Sequence, residues 1–179
     1  MNLTLYTVLT GVIACFTGFI LISNSSKVKC LLKELLRSNK ASIILLSIGL
    51  FWFQYHHVRN LGEADFGEYK LIIGLIGIFI AIASYFYIND FLSVRAFCII
   101  MLFYAREALD SAFLQEPSAR LFLVSAIYFI IIASLYFGAW PYRTRDLLLW
   151  LFSERIRSIV FGYSFVLYGL LLVGVAITY

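Results

Sequence analysis

The residues best suited to chemistry in this sequence are a short run of ionisable side chains inside an apolar segment. Arg106 and Asp110 are i, i+4 neighbours on one face of a helix, and Glu107 is i, i+3 from Asp110. Because ionisable groups at membrane depth are costly, the cluster indicates either a proton or cation path or a salt-bridged helix end. Pro117 follows closely enough to end the helix, which favours the structural interpretation.

The two histidines, His56 and His57, are adjacent. Neighbouring residues point about 100° apart on a helix, so this pair cannot hold one haem iron from both faces. With Glu63 or Asp65 the histidines would form at most a partial metal site. We treat them as weak metal candidates, interpret them as polar residues at an interfacial helix end, and expect no metal and no cofactor.

The three cysteines have no paired spacing typical of zinc, iron–sulfur or dithiol sites. The sequence also contains no Gly-rich phosphate loop, nucleophile elbow or HExxH motif. We therefore expect a non-catalytic protein. An enzyme is the third alternative, since its active groups would have to come from scattered histidines and acids.

Composition predicts the environment of these residues. The chain is 63% hydrophobic and 13% charged, whereas soluble domains are about 45–50% apolar and about 25% charged. The sequence therefore predicts an all-α fold, a polytopic transmembrane helix bundle forming one domain over residues 1–179. Its pI of about 9.0 comes from positive residues beside apolar runs, so we expect membrane lipids as the counter-charge and no nucleic acid.

The apolar runs predict six membrane spans, because roughly 20 apolar residues cross a bilayer as a helix. They lie near residues 3–22, 42–57, 71–88, 92–110, 121–140 and 159–178. In the fourth, only ten uncharged residues separate Arg95 from Arg106. Either both arginines snorkel or neighbouring helices shield one end, and five spans are the alternative.

The positive-inside rule decides between six and five spans, because cytoplasmic connections retain Lys and Arg. With six spans, ten of the fourteen Lys and Arg lie on one side, and Arg59, Lys70, Arg106 and Arg120 lie on the other. With five spans the division is eight against six. We therefore predict six spans with both termini extracytoplasmic. From the small size and the absence of a targeting segment we expect a bacterial inner membrane.

Two connecting segments, near residues 26–39 and 144–157, are predicted as interfacial amphipathic helices. In the first, the apolar residues Val28, Leu31, Leu32, Leu35 and Leu36 form one stripe. The residues expected at the lipid surface are Lys27, Lys29, Lys33, Arg37 and Lys40. In the second segment Thr144 is the expected cap, although the apolar stripe is less regular.

Small residues in the spans predict where helices touch: Gly77, Ala81 and Ser84 in the third span, and Gly162 and Gly169 in the sixth. No span carries the series of polar residues that a solute path generally needs. We therefore expect a non-catalytic scaffold or accessory subunit that binds other membrane subunits or forms a homo-oligomer. The alternative is a small ion or solute transporter or channel that uses Arg106, Glu107 and Asp110.

Overall fold

A computed structural model describes residues 3–62, 66–88 and 90–179, and every regular element within these ranges is helical. The helices are α1 (Leu3–Ser23), α2 (Ser26–Arg37), α3 (Asn39–Trp52) continued by a π-helix (Phe53–Val58), a 3₁₀ turn (Gly67–Tyr69) leading into α4 (Lys70–Tyr87), α5 (Leu92–Ala112), α6 (Arg120–Ala139), α7 (Pro141–Leu151) and α8 (Arg155–Ala176). The predicted all-α helical bundle is confirmed. Five stretches are long and apolar enough to cross a membrane: α1, Asn39–Val58, Gly67–Tyr87, α6 and α8.

The most extensive helix contact joins the first and last helices of the chain. A Cβ atom on Gly11 would stand 2.9 Å from the carbonyl oxygen of Gly169, and one on Gly18 would stand 2.6 Å from that of Gly162. Residue numbers rise along α1 as they fall along α8, so the two helices are antiparallel. Glycine is needed at these positions because the two backbones touch.

Helix α5 lies at the centre of the bundle, in contact with α1, α2, α3, α6 and α7. At its start, the Ser93 hydroxyl donates a 2.9 Å hydrogen bond to the carbonyl oxygen of Leu36 at the end of α2. Near its other end, Tyr104 and Ala108 pack in one core cluster with Leu3 at the start of α1. Helix α5 therefore extends between the same two ends of the bundle as α1. Neighbouring helices shield the end of α5 that carries Glu107.

The long helices alternate in direction along the chain. Helices α3 and α5 are parallel, because Gly49 lies beside Ile100 and Phe53 lies beside Phe103. Helix α4 runs antiparallel to α3, and α6 runs antiparallel to α5, since Gly138 near the end of α6 lies beside the early part of α5. The bundle is thus an up-and-down arrangement of six long helices, with α2 and α7 as short connecting helices.

The first predicted amphipathic helix is two residues shorter than expected. It ends at Arg37 because Ser38 is extended, with a ψ of 118°. The Ser38 hydroxyl accepts a hydrogen bond from the backbone N–H of Ala41 and so caps α3. Asn39 consequently begins α3. Val28, Leu32 and Leu36 are partly buried by the bundle, whereas Leu31 and Leu35 are exposed.

The bounds predicted for the second amphipathic helix, residues 144–157, are wrong. Helix α7 begins at Pro141, whose fixed φ suits the first helical position, so Thr144 lies inside the helix and does not cap it. After α7 the chain turns, and Glu154 is extended, with φ −125° and ψ 134°. Arg155 and Arg157 therefore belong to the first turn of α8.

Candidate functional site

The two histidines lie in the π-helix that ends the second long helix. Its wider turn is closed by the bond from the Arg59 backbone N–H to the Gln54 carbonyl oxygen, five residues earlier. The Gln54 side-chain amide donates a 2.7 Å bond to the Gly74 carbonyl oxygen of α4. Single π-turns inside α-helices are frequent at functional sites. Here the turn fixes the directions in which His56 and His57 project.

His56 contacts a carboxylate of α5. Its Nδ1 atom lies 2.9 Å from Oε1 of Glu107, and the two side chains are 39% and 14% exposed. The contact requires the parallel arrangement of α3 and α5, which brings the end of one helix beside the end of the other. Because both side chains can gain or lose a proton, the pair can hold or pass a proton between α3 and α5.

The predicted cluster on α5 is divided between two faces. Arg106 and Asp110 form an ion pair of 3.9 Å on the bundle surface, with exposed fractions of 60% and 69%. Glu107 projects inward, because consecutive residues are about 100° apart on a helix. Of the three residues, only Glu107 faces the interior of the bundle, where it contacts His56. The distance between these two residues in the sequence gave no sign of this contact.

A second polar contact involves Tyr104, which lies about one helical turn before Glu107 on α5. Tyr104 Oη lies 2.7 Å from Oγ1 of Thr10, and this threonine hydroxyl donates to the Tyr6 carbonyl oxygen at 2.6 Å. The threonine proton is used in that bond, so Tyr104 donates to Thr10. Sequence patterns missed this group; the one available signal was that Tyr104 precedes Glu107 by three residues on one helix face.

The other histidine is packed among aromatic rings. The centroid of the His57 ring is 4.8 Å from that of Phe103 and 6.1 Å from that of Phe53. Its Nδ1 atom and the Trp52 indole nitrogen are buried without a hydrogen-bond partner in the described part of the chain. Glu63 and Asp65, named above as possible partners of a metal site, lie outside the described residues. Within the described ranges, no group of three His, Cys, Asp or Glu residues could hold a metal ion.

The basic residues expected at the lipid surface follow α2 into the first turn of α3. Lys29 lies over the Phe152 ring at 5.4 Å, and Arg37 lies over the Phe91 ring at 5.6 Å. These contacts attach α2 to the bundle. The remaining members, Lys27, Lys33 and Lys40, are exposed.

Comparison with protein-family models, with curated proteins and with solved structures finds no match to this chain.

Proposed function

We propose that this protein is a non-catalytic accessory subunit of a membrane complex, embedded in a bacterial inner membrane by six crossings, with both termini extracytoplasmic. The antiparallel contact of α1 and α8 supports an even number of crossings, because an odd number would make these two helices parallel. Helix α5 reaches both ends of the bundle, which supports its role as the fourth crossing. The positive-inside rule then assigns α2 and α7 to the cytoplasmic side.

The main support for the subunit role is that polar side chains of the bundle form hydrogen bonds between helices. They join one helix to another: Thr10 to Tyr104, Ser93 to the Leu36 carbonyl oxygen, Gln54 to that of Gly74, Ser158 to that of Leu21, and Ser125 to Tyr168. Such bonds stabilise helix packing in a membrane. In a transporter we would expect several of these groups to line a continuous path instead.

A laterally open groove is the place where we expect a partner helix to bind. It has a volume of about 210 Å³ between α3, α4 and α5, and its α4 side includes Gly77, Ala81 and Ser84. Gly77 is already packed against the Phe53 ring, since a Cβ on it would stand 2.7 Å from Phe53 Cε1. Ala81 and Ser84 are the small residues that would let a partner helix approach closely. Helix α4 buries only Gly74 in the described structure, so most of its surface is free for lipid or for a partner.

Purification from native membranes in a mild detergent tests this proposal. The tagged chain should elute with other membrane proteins in a fixed ratio. Ala81→Trp fills the groove and should release them, whereas Phe79→Trp, on the opposite face of α4 where Phe79 is exposed, should not. Recovery of a monodisperse single chain would refute the subunit role, and a complex containing only copies of this chain would replace it with a homo-oligomer.

The His56–Glu107 contact favours a second candidate, a small transporter or channel in which a proton or cation crosses the membrane by way of these two side chains. Its test is flux into liposomes that contain the purified protein and a pH-sensitive dye. Glu107→Gln should abolish the flux, and Asp110→Asn, which changes an exposed carboxylate of the same helix, should preserve it. Equal flux in both variants, with unchanged elution of the folded protein, would remove Glu107 from any such path.

A further inference from the structure

A second cleft lies between α5 and α6, toward the start of α5 and the end of α6. Its volume is about 390 Å³, and its polar lining residues are Arg95 and Ser134. Most of the remaining wall is apolar, including Ile99, Leu102 and Leu135. The cleft therefore combines one cation with an apolar channel.

The Arg95 guanidinium has no protein partner within the described ranges. Most other arginines have one: Arg106, Arg145 and Arg157 pair with carboxylates, and Arg37, Arg59, Arg143 and Arg157 lie over aromatic rings. Arg120 bonds to backbone carbonyl oxygens. Arg95 is half-buried as a residue, and a guanidinium that is removed from water is costly without an acceptor. An anion from outside the chain is therefore the expected partner of Arg95.

If α5 is the fourth crossing, as proposed above, Arg95 lies at the end of α5 where lipid phosphates are expected. It lies in the first turn of the helix, beside the level at which α6 ends at Ala139. Leu102 is seven residues farther along the helix, or about 10 Å deeper. The cleft thus extends from the membrane surface toward the bilayer centre, as an acyl chain does.

The net charge on the side of the bundle that carries Arg95 also favours an anionic ligand. By the six-span assignment this side carries ten Lys and Arg against four acids, Glu34, Asp90, Asp146 and Glu154. Asp146 and Glu154 already contact arginines. Anionic lipids of the cytoplasmic leaflet are attracted to such basic surfaces.

We propose that this cleft binds one anionic phospholipid, with the phosphate on the Arg95 guanidinium and an acyl chain along Ile99, Leu102 and Leu135. Guanidinium is the side chain best matched to a phosphate, since it donates two parallel hydrogen bonds. The site is separate from the basic residues of α2, because none of them is among the residues that line this cleft.

Native mass spectrometry of the intact protein with added phosphatidylglycerol or phosphatidylcholine tests the proposal. Wild type should retain one phosphatidylglycerol in preference to phosphatidylcholine. Arg95→Gln should weaken phosphatidylglycerol binding by about tenfold or more, since it removes a charge-assisted contact. Arg155→Gln is the matched control, because Arg155 lies on the same side and is exposed outside the cleft. Equal loss in both variants would show that only general surface charge is involved.

Two further variants test the apolar part of the cleft and the positive charge of Arg95 separately. A Cβ on Gly138 would meet only Cys98 Cβ, at 3.6 Å, so Gly138→Leu places a side chain in the acyl channel with little backbone conflict. Gly138→Leu should weaken lipid binding although Arg95 is unchanged. Arg95→Lys keeps the positive charge and should retain part of the lipid binding that Arg95→Gln loses. Undiminished binding to Gly138→Leu, or displacement of the lipid by inorganic phosphate, would overturn the proposal.

Discussion

Gly169 of α8 lies so close to Gly11 of α1 that a Cβ atom on Gly169 would stand 2.7 Å from the Gly11 carbonyl oxygen. The same atom would stand 2.8 Å from the backbone nitrogen of Cys15. Both neighbours are backbone atoms, which cannot move aside as a flexible side chain can. The first and last helices of the chain are thus held together by backbone contact.

Gly169→Ala should destabilise the folded bundle by about 1–3 kcal/mol, the usual cost of overpacking. The measurement is thermal unfolding in detergent followed by circular dichroism. Gly174→Ala is the matched control in the same helix, because a Cβ at Gly174 would meet nothing within 4 Å. Equal unfolding temperatures for the two variants would contradict the close contact of α1 and α8.

Glu107→Gln should destabilise the bundle by about 1 kcal/mol, because a neutral amide replaces the carboxyl group whose Oε1 lies 2.9 Å from His56 Nδ1. Asp110→Asn should cost less, since exposed ion pairs contribute about 0–1 kcal/mol. A double-mutant cycle with His56→Gln measures the coupling in unfolding experiments. Additive effects of His56→Gln and Glu107→Gln would show that the two side chains do not interact.

Most of the helices could be predicted from local composition. Helix α1 begins at Leu3 as predicted and ends one residue later than predicted, and α4 begins and ends one residue before its predicted span. An apolar run long enough to cross the bilayer needs no other information. Helix α5 was harder, since its charged residues conflict with a membrane location. Its shielding by neighbouring helices was one of two explanations, and ten of its residues are buried.

The candidate site was predicted only in part. Grouping Arg106, Glu107 and Asp110 follows from sequence proximity, whereas the structure pairs Glu107 with His56, 51 positions away. That pairing depends on the parallel register of α3 and α5 and on the π-turn at Phe53–Val58. Gly11 and Gly18 have the same seven-residue spacing as Gly162 and Gly169, a signal that could have predicted the contact of α1 with α8.

Cysteine accessibility in intact cells should place α2 and the connection between α5 and α6 on opposite faces. Cys30 is exposed on α2, whereas Cys15 and Cys98 lie within long helices. A membrane-impermeant maleimide should label Cys30 only after the membrane is opened. In a Cys30→Ser background, Ser118→Cys should be labelled from outside without opening. Labelling of both sites from the same face would refute the six-span topology.

The reactivity of Cys30 should depend on Glu34. The thiol donates a 3.3 Å hydrogen bond to Oε1 of Glu34 one helical turn later. This bond and the negative charge of the carboxylate raise the pKa of Cys30 above its ordinary value. Because the thiolate is the reactive form, a raised pKa slows alkylation below that pKa.

Glu34→Gln removes the negative charge and weakens the hydrogen bond, so the pKa of Cys30 should fall and alkylation near pH 8 should accelerate severalfold. The rate is measured with iodoacetamide on the purified protein across a pH series, and the midpoint of the rate profile should move to lower pH. Lys33→Gln is the opposing control, since the Lys33 charge lowers the same pKa and its removal should slow the reaction. An unchanged midpoint in Glu34→Gln would show that the thiol does not contact the carboxylate in solution.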